Sequence, residues 1–404
     1  MPHSFSLPAK GAGWSGSTAM QRCSTRVFDF MRIVSLGGAL LEASRYKIRR
    51  SLRVAPRSLA EVASRSWVIA PGVEELFPPT YVPESHLDRI VRGAPPELKT
   101  PAQSRDEVIG LKGIHVGGPT TAVVLRDAFL LGSNCYCGMH KEDLYTGSDV
   151  RSLLRGDWGE VPQAVLATSY AGARWYGHVL IDDLPLQELA PTVGLPIGHV
   201  RPKFPHEAGW RSALQIPEPR PYSVLRAREL VFIDDRGQNL AKRRRYQKIR
   251  AQLSNRPRGH ERIFLARKTS GGGEKRGLVN EAEIEQRLAS EGFHIVDTST
   301  VTVEEMLQRC AGASVIVSIE GSHSAPAYYF AGDGACVMFL YPPGRVGTNM
   351  TFLASFFGLF GAMFICEPVE GADPAQLFRA DPDELMREVD EASKRARLAA
   401  STVH

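Results

Sequence analysis

The chain has 404 residues, 43% of them apolar and 23% charged, with a net charge of +5. That length accommodates two domains of ordinary size, and the composition is that of a globular protein, which excludes fibrous and wholly disordered classes. The modest positive charge suits anionic ligands such as nucleotides and does not mark a dedicated nucleic-acid binder.

Residues 1–26, rich in Ser and Gly and lacking the charged and apolar blocks of a signal peptide, read as a disordered tail. The most apolar stretch, "VFDFMRIVSLGGALLEA" (27–43), is interrupted by Asp29, Arg32 and Glu42. It therefore falls short of the roughly 18-residue apolar run that a membrane span needs. The following "RYKIRRSLR" (45–53) reads as a solvated basic helix, with attachment to a lipid surface as the alternative. An N-terminal domain is expected over 27–215. Its short apolar runs "SWVIAPG", "GIHVGGPTTAVVL", "DAFLLGSNCYC" and "QAVLATSY" make it β-rich at first and α/β towards its end. Six cysteines occur, none in a C-x-x-C pair or with zinc spacing. Cys310, Cys336 and Cys366 sit in apolar runs as core residues. Cys135 and Cys137 leave a local redox or metal pair open. A reducing cytoplasm fits this usage best.

Late in this half lies "ARWYGHVLIDDLPLQELA" (173–190). His178 and Asp182 are four apart, so a helix puts them on one face, and a His–carboxylate pair can act as a general base near neutral pH. A satisfied, partly buried histidine is the competing reading. Asp183, just before Leu184-Pro185, is placed to cap a helix.

The Pro-rich "IPEPRPYS" (216–223) reads as a linker to a C-terminal domain over 224–375. There the pattern is regular. "RELVFIDD" is a strand and "NLAKRRRYQKIRAQL" (239–253) a helix with Tyr246, Ile249 and Leu253 on one face. "RIFLARK" (262–268), "HIVDTS", "SVIVSI" (314–319) and "ACVMFLY" (335–341) are strands. Between them, Asn280 with Glu283 and Thr302 with Glu305 look like capping boxes, and 325–331 like a further helix. Such alternation means a parallel, doubly wound sheet. Residues 376–404 carry a terminal amphipathic helix.

In such a sheet ligands bind beyond the carboxyl ends of the strands. Two ends attract attention. "RIFLARK" finishes on Arg267 and Lys268 and runs into "TSGGGEKRG", suited to a diphosphate through a bidentate guanidinium and a point charge. "SVIVSI" runs into Glu320, Gly321, Ser322 and His323, where Gly allows close backbone approach and Ser a hydrogen bond to phosphate. Solvated strand ends are the plain alternative for both.

These elements, in this order, resemble glycosyltransferase family 61. "WYGHVLIDDLP" looks like its aromatic-His…Leu-Pro segment and "IFLARK" like its Arg-ended strand. "GLVNEAEIEQRLASEGFHIVDTSTVTVEEMLQRCAGASVIVSIEGSHSAPAYYF" looks like its Asn-Glu helix, Gly-Phe turn, strand and loop. Leu186 stands where an arginine often follows Leu-Pro, and Pro326 where an Asn often follows the loop; Glu-Gly-Ser replaces His-Gly-Ala, as in a bacterial, capsular-polysaccharide-type subgroup. The resemblance implies a GT-B-like α/β architecture of two Rossmann-like domains facing a cleft. It also implies inverting, metal-independent transfer of a hexosyl, pentosyl or N-acetylhexosaminyl unit from a nucleotide sugar, UDP-linked, to a saccharide or glycolipid acceptor. On this reading His178 or Asp182 is the catalytic base. Arg267, Lys268, Glu320, Gly321, Ser322 and His323 hold the donor, with no metal and no further cofactor. The expected setting is surface-polysaccharide or glycoconjugate synthesis in the cytoplasm or at the inner membrane face, without nucleic acid. The alternatives are an inactive transferase-like scaffold and a nucleic-acid binder using "KRRRYQKIR" (242–250).

Overall fold

The computed structural model describes residues 36–93, 100–109, 114–145, 157–268 and 276–402. The expected tail, Cys23 and the glycine-rich loop over 269–275 lie outside the described residues.

Helix α1 (36–51) lies on a seven-stranded sheet. The strands are β1 (Arg65–Ala70), β2 (Thr120–Leu131), β3 (Asn134–Cys137), β4 (His140–Asp143), β5 (Asp157–Leu166), β6 (Pro196–His199) and β7 (Arg220–Asp234). They are ordered β4-β3-β2-β7-β5-β6, with β1 also on β2. β1 to β4 form antiparallel pairs and β2 runs antiparallel to β7, whereas β5, β6 and β7 are mutually parallel. The half is thus β-rich first and α/β later, but its sheet is mixed and not Rossmann-like. Hairpins such as the one between β3 and β4 need only tight turns and dictate antiparallel pairing.

The expected linker is corrected as well. Arg220 to Ser223 open β7, which is central to this first sheet. Pro221 is tolerated because it is the strand's second residue, where a lost N–H matters least.

The second sheet is wholly parallel. Its strands are β8 (Arg262–Ala266), β9 (His294–Asp297), β10 (Ala313–Ile319), β11 (Ala331–Tyr341) and β12 (Phe360–Ile365), ordered β9-β8-β10-β11-β12. Both faces are buried, as near-continuous apolar runs require. Phe264, Ala266 and Val317 face helices α5 (Glu281–Ser290) and α8 (Pro382–Thr402). Ile263, Leu265 and Ile316 face α4 (Leu240–Ala251), α6 (Val303–Cys310) and α7 (Asn349–Phe356). Tyr246, Ile249 and Leu253 all enter that second core, and Thr302 with Glu305 closes a true capping box on α6. Asn280 does not form one: its amide reaches Glu283 and the Ala380 carbonyl, tying α5 to the segment before α8. The chain's one Asp-x-Asp triplet, Asp381-Pro382-Asp383, is a helix start: Asp381 caps the Glu384 N–H and Asp383 pairs with Arg287.

The two halves share a core. Leu180, Ile181 and Leu184 of α2 (176–189) and Trp210 of α3 (Glu207–Ala213) are buried with Ile263, Leu265 and Tyr246. α2 carries a π-helical turn over Val179–Asp183, where the Leu184 N–H reaches back to the Val179 carbonyl. Pro185 follows and has no N–H to offer the Leu180 or Ile181 carbonyl. Tyrosine hydroxyls from the second half take both: Tyr329 donates to Leu180 at 2.5 Å and Tyr246 to Ile181 at 2.6 Å. Losing either hydroxyl strands a buried carbonyl, so Tyr246→Phe and Tyr329→Phe should each lower stability by about 1–2 kcal/mol. Urea denaturation checks this, and unchanged midpoints would show that the carbonyls are satisfied otherwise.

Candidate active site

The strand order β9-β8-β10 makes the sheet's switch point the gap between the carboxyl ends of β8 and β10. Arg267 follows β8 directly and Glu320 follows β10 directly. The Arg267 main-chain N–H donates to Glu281 at 3.0 Å, and its Nη1 donates to the Glu320 carbonyl at 3.1 Å. Gly321 has φ +148°, and a Cβ there would stand 2.8 Å from the same Nη1. The backbone conformation thus calls for glycine, and a Cβ would push the guanidinium end aside. The Glu320 carboxylate is ion-paired with Arg276. His323 lies in a 3-10 turn, Ser322–Ser324, with its Nε2 3.4 Å from the Ser318 hydroxyl. Burial first, then the cations Arg267 and Arg276, push its imidazole down to about 3, so it is neutral at physiological pH.

Two expectations change here, and one residue is added. The stretch 325–331 is no full helix: after the 3-10 turn only Ala327–Phe330 is α-helical. Positive charge at these strand ends therefore comes from Arg267 and Arg276 more than from a helix dipole. Lys268 is half-exposed and leans on Glu285 at 3.4 Å. Arg276, not singled out in the sequence, joins Arg267 at these strand ends through its pair with Glu320; just before Gly277, it had no pattern to mark it.

The facing wall is α2. His178 and Asp182 pair as their spacing requires, Nδ1 to Oδ2 at 2.6 Å. With the carboxylate accepting, Nδ1 carries the proton and Nε2 presents its lone pair. The other carboxylate oxygen of Asp182 accepts from Lys242 at 3.1 Å. Lys242, with a side chain 0% exposed, also donates to the Asp235 carbonyl at 2.8 Å. Asp235 in turn takes both oxygens to Arg245 at 2.5 and 2.6 Å and accepts from Thr120 at 2.8 Å. Burial pushes Asp182 up, but the His178 hydrogen bond and the Lys242 ammonium outweigh it and hold the carboxyl below its ordinary range. Asp182 is thus an anchored anion that orients His178.

The basic run 242–250 is consequently not a solvated face. Lys242 and Arg245 point into this network, and Arg250 donates to the Ala331 and Phe357 carbonyls. Lys242 lies four and seven residues before Tyr246 and Ile249, so the helical period could have placed it inward. Asp183 is no cap either. It lies inside α2, wholly buried, accepts the Ser169 N–H at 2.8 Å, and needs Gly172, whose Cβ would meet it at 2.3 Å. Burial raises its carboxyl to about 7. Cys135 and Cys137 are buried core residues, and burial lifts both thiols. Among the described residues no group of His, Cys, Asp and Glu could hold a metal ion.

The two walls touch. A Cβ on Gly177, the residue before His178, would lie 3.1 Å from the Ser322 Cα. Beside His178 stands exposed Trp175, ring centroids 5.4 Å apart, with Arg174 over Trp175 at 5.0 Å and donating to the exposed Tyr170 hydroxyl at 2.9 Å. The helix that carries His178 thus touches the 322 loop one residue before it, and an open aromatic surface lies beside the imidazole.

Lys242→Met leaves the Asp182 carboxylate without its cation and the Asp235 carbonyl without its donor, and should cost about 3–5 kcal/mol, whereas exposed Arg244→Ala should stay within about 0.5 kcal/mol. Chemical denaturation of both variants separates an interior ion network from a solvated helix. Asp183 keeps its proton in the folded state up to about 7 but loses it near 3.8 unfolded. The folded state thus binds the extra proton between those values, and stability should fall as pH rises through that window. Asp183→Asn should flatten the fall in thermal melts; an unchanged slope would assign it to another group.

No curated protein matches the chain. Residues 176–338 match the model of the family described as Glycosyltransferase 61. That match starts at the first residue of α2 and ends inside β11, enclosing His178, Asp182, Lys242, Arg267, Arg276 and the Glu320–His323 loop. The segment that builds both walls of the site belongs to glycosyltransferase family 61.

Proposed function

We propose that this glycosyltransferase moves a sugar from a nucleotide-sugar donor, UDP-linked, to a saccharide acceptor by a single inverting displacement. The observation that carries the proposal is the contact of Gly177 with Ser322, which sets a His–Asp pair against a cation-lined strand end. The acceptor oxygen forms its bond to the anomeric carbon as the bond from that carbon to the diphosphate breaks. His178 Nε2 takes the acceptor's hydroxyl proton, and Asp182 stabilises the imidazolium that results. Charge that develops on the departing diphosphate meets Arg267 and Arg276, a role cations fill in place of a metal. Gly321 admits the donor's phosphates close to the backbone, Ser322 and neutral His323 offer hydrogen bonds, and Glu320 fixes Arg276. Trp175 and Tyr170 give a sugar ring an apolar face beside the base. A surface polysaccharide or glycolipid acceptor, met on the cytoplasmic side, follows from the family resemblance and is the setting we infer.

A nucleic-acid role for 242–250 is disfavoured because its central cations are committed inside the protein. An inactive scaffold is disfavoured because an intact base pair and a donor-side cation pair are both present.

A thermal-shift series with nucleoside diphosphates tests the donor site. One of them, at about 100 times its Kd, should add roughly 2.7 kcal/mol, and Arg267→Ala should lose the shift. His178→Ala should keep it while turnover falls about 100- to 10,000-fold. Near-normal turnover in His178→Ala would remove the assignment of the base; no shift with any diphosphate would favour the scaffold.

A further inference from the structure

Helix α1 is amphipathic the wrong way round for a protein surface. Its inner side packs on the first sheet: Ala39 joins Phe129 and Val224, Tyr46 meets the Tyr136 ring at 5.9 Å, and Gly38 lets the helix approach Phe129 closely. Its outer side is apolar. Leu41, Ile48 and Leu52, seven and four residues apart, form one stripe and are 51%, 59% and 72% exposed. Leu40 is also exposed, and the small Gly37, Ser44 and Ser51 lie beside them on the helical wheel. Cations flank the stripe. Residues 36–54 hold five, Arg45, Lys47, Arg49, Arg50 and Arg53, against one acid, Glu42. Five less one leaves +4 on that span. Arg53 adopts φ +63° and ends the helix, with the Val54 N–H closing on the Arg49 carbonyl.

A surface helix normally turns its apolar residues inward. An exposed apolar stripe bordered by Lys and Arg is what an interface-lying helix presents to acidic headgroups. No helix among the described residues is long and apolar enough to cross a membrane. We propose that α1 is an in-plane membrane-surface helix, seating Leu41, Ile48 and Leu52 among acyl chains and the flanking cations on anionic lipid headgroups. The charge complementarity selects an anionic bilayer over a neutral one and over a second protein surface. The inference is independent of the glycosyl-transfer reading, because its test needs no turnover.

The test is co-sedimentation of the full chain with vesicles of phosphatidylcholine containing about 30% phosphatidylglycerol, and with phosphatidylcholine alone. The chain should pellet with the anionic vesicles and bind neutral ones about tenfold or more weakly, with affinity falling as salt rises. The triple variant Leu41→Gln, Ile48→Gln, Leu52→Gln changes only exposed side chains. It should keep its melting temperature and lose about tenfold or more in vesicle affinity. A chain that stays in the supernatant with anionic vesicles, or a triple variant that binds equally well, overturns the proposal. So does a dimer in sedimentation velocity that the triple variant converts to monomer without any vesicle binding, which would make the stripe a protein interface.

Discussion

The site depends on how α2 is held. A proline in a helix leaves carbonyls that must find other donors or remain buried and unpaired. Here the donors are two tyrosines of the second half, Tyr246 and Tyr329. The hydrogen bonds that repair the helix therefore also dock it. They fix the height and rotation of His178 and Asp182 relative to the sheet that carries Arg267 and Glu320, and Gly177 can then press on Ser322. The π-turn is the local adjustment that accompanies this docking, in keeping with the frequent placement of such turns at functional sites.

Electrostatics reinforce the same geometry. Asp182 would be costly to bury alone, and Lys242 more so. Together with Asp235 and Arg245 they form a chain of opposite charges that runs from the base to the first sheet through Thr120. The donor side repeats the theme on a smaller scale, with Glu320 between Arg276 and the Arg267 guanidinium. A neutral His323 adds hydrogen-bonding capacity there without adding repulsion between cations.

Much of this was legible in the residues. Short apolar runs alternating with helical stretches of period 3.6 marked the parallel sheet, and the rule that ligands gather beyond strand ends pointed to Arg267 and to Glu320–His323. His178 and Asp182 followed from a spacing of four. Other features were not legible, for physical reasons. The Pro-rich start of β7 looked like a linker because proline content reports local backbone preference, whereas strand membership was decided by pairing with β2 and β5. The helical period could turn Lys242 inward, but its partners Asp182 and Asp235 could not be named, because a residue pattern does not reveal which distant carboxylates the fold brings to it. The mixed order of the first sheet and the role of Arg276 arise from long-range pairing, which no window of sequence contains.

Nucleotide binding at the β8/β10 switch point should be felt by the helix bearing the base. Amide hydrogen exchange measures this directly, comparing the chain with and without the nucleoside diphosphate that binds it. Exchange should slow in the 320–324 loop and together with it over 176–183, because Ser322 and Gly177 are in contact. Protection confined to the first sheet, or protection of the loop with no change in α2, would contradict a shared site between the two halves.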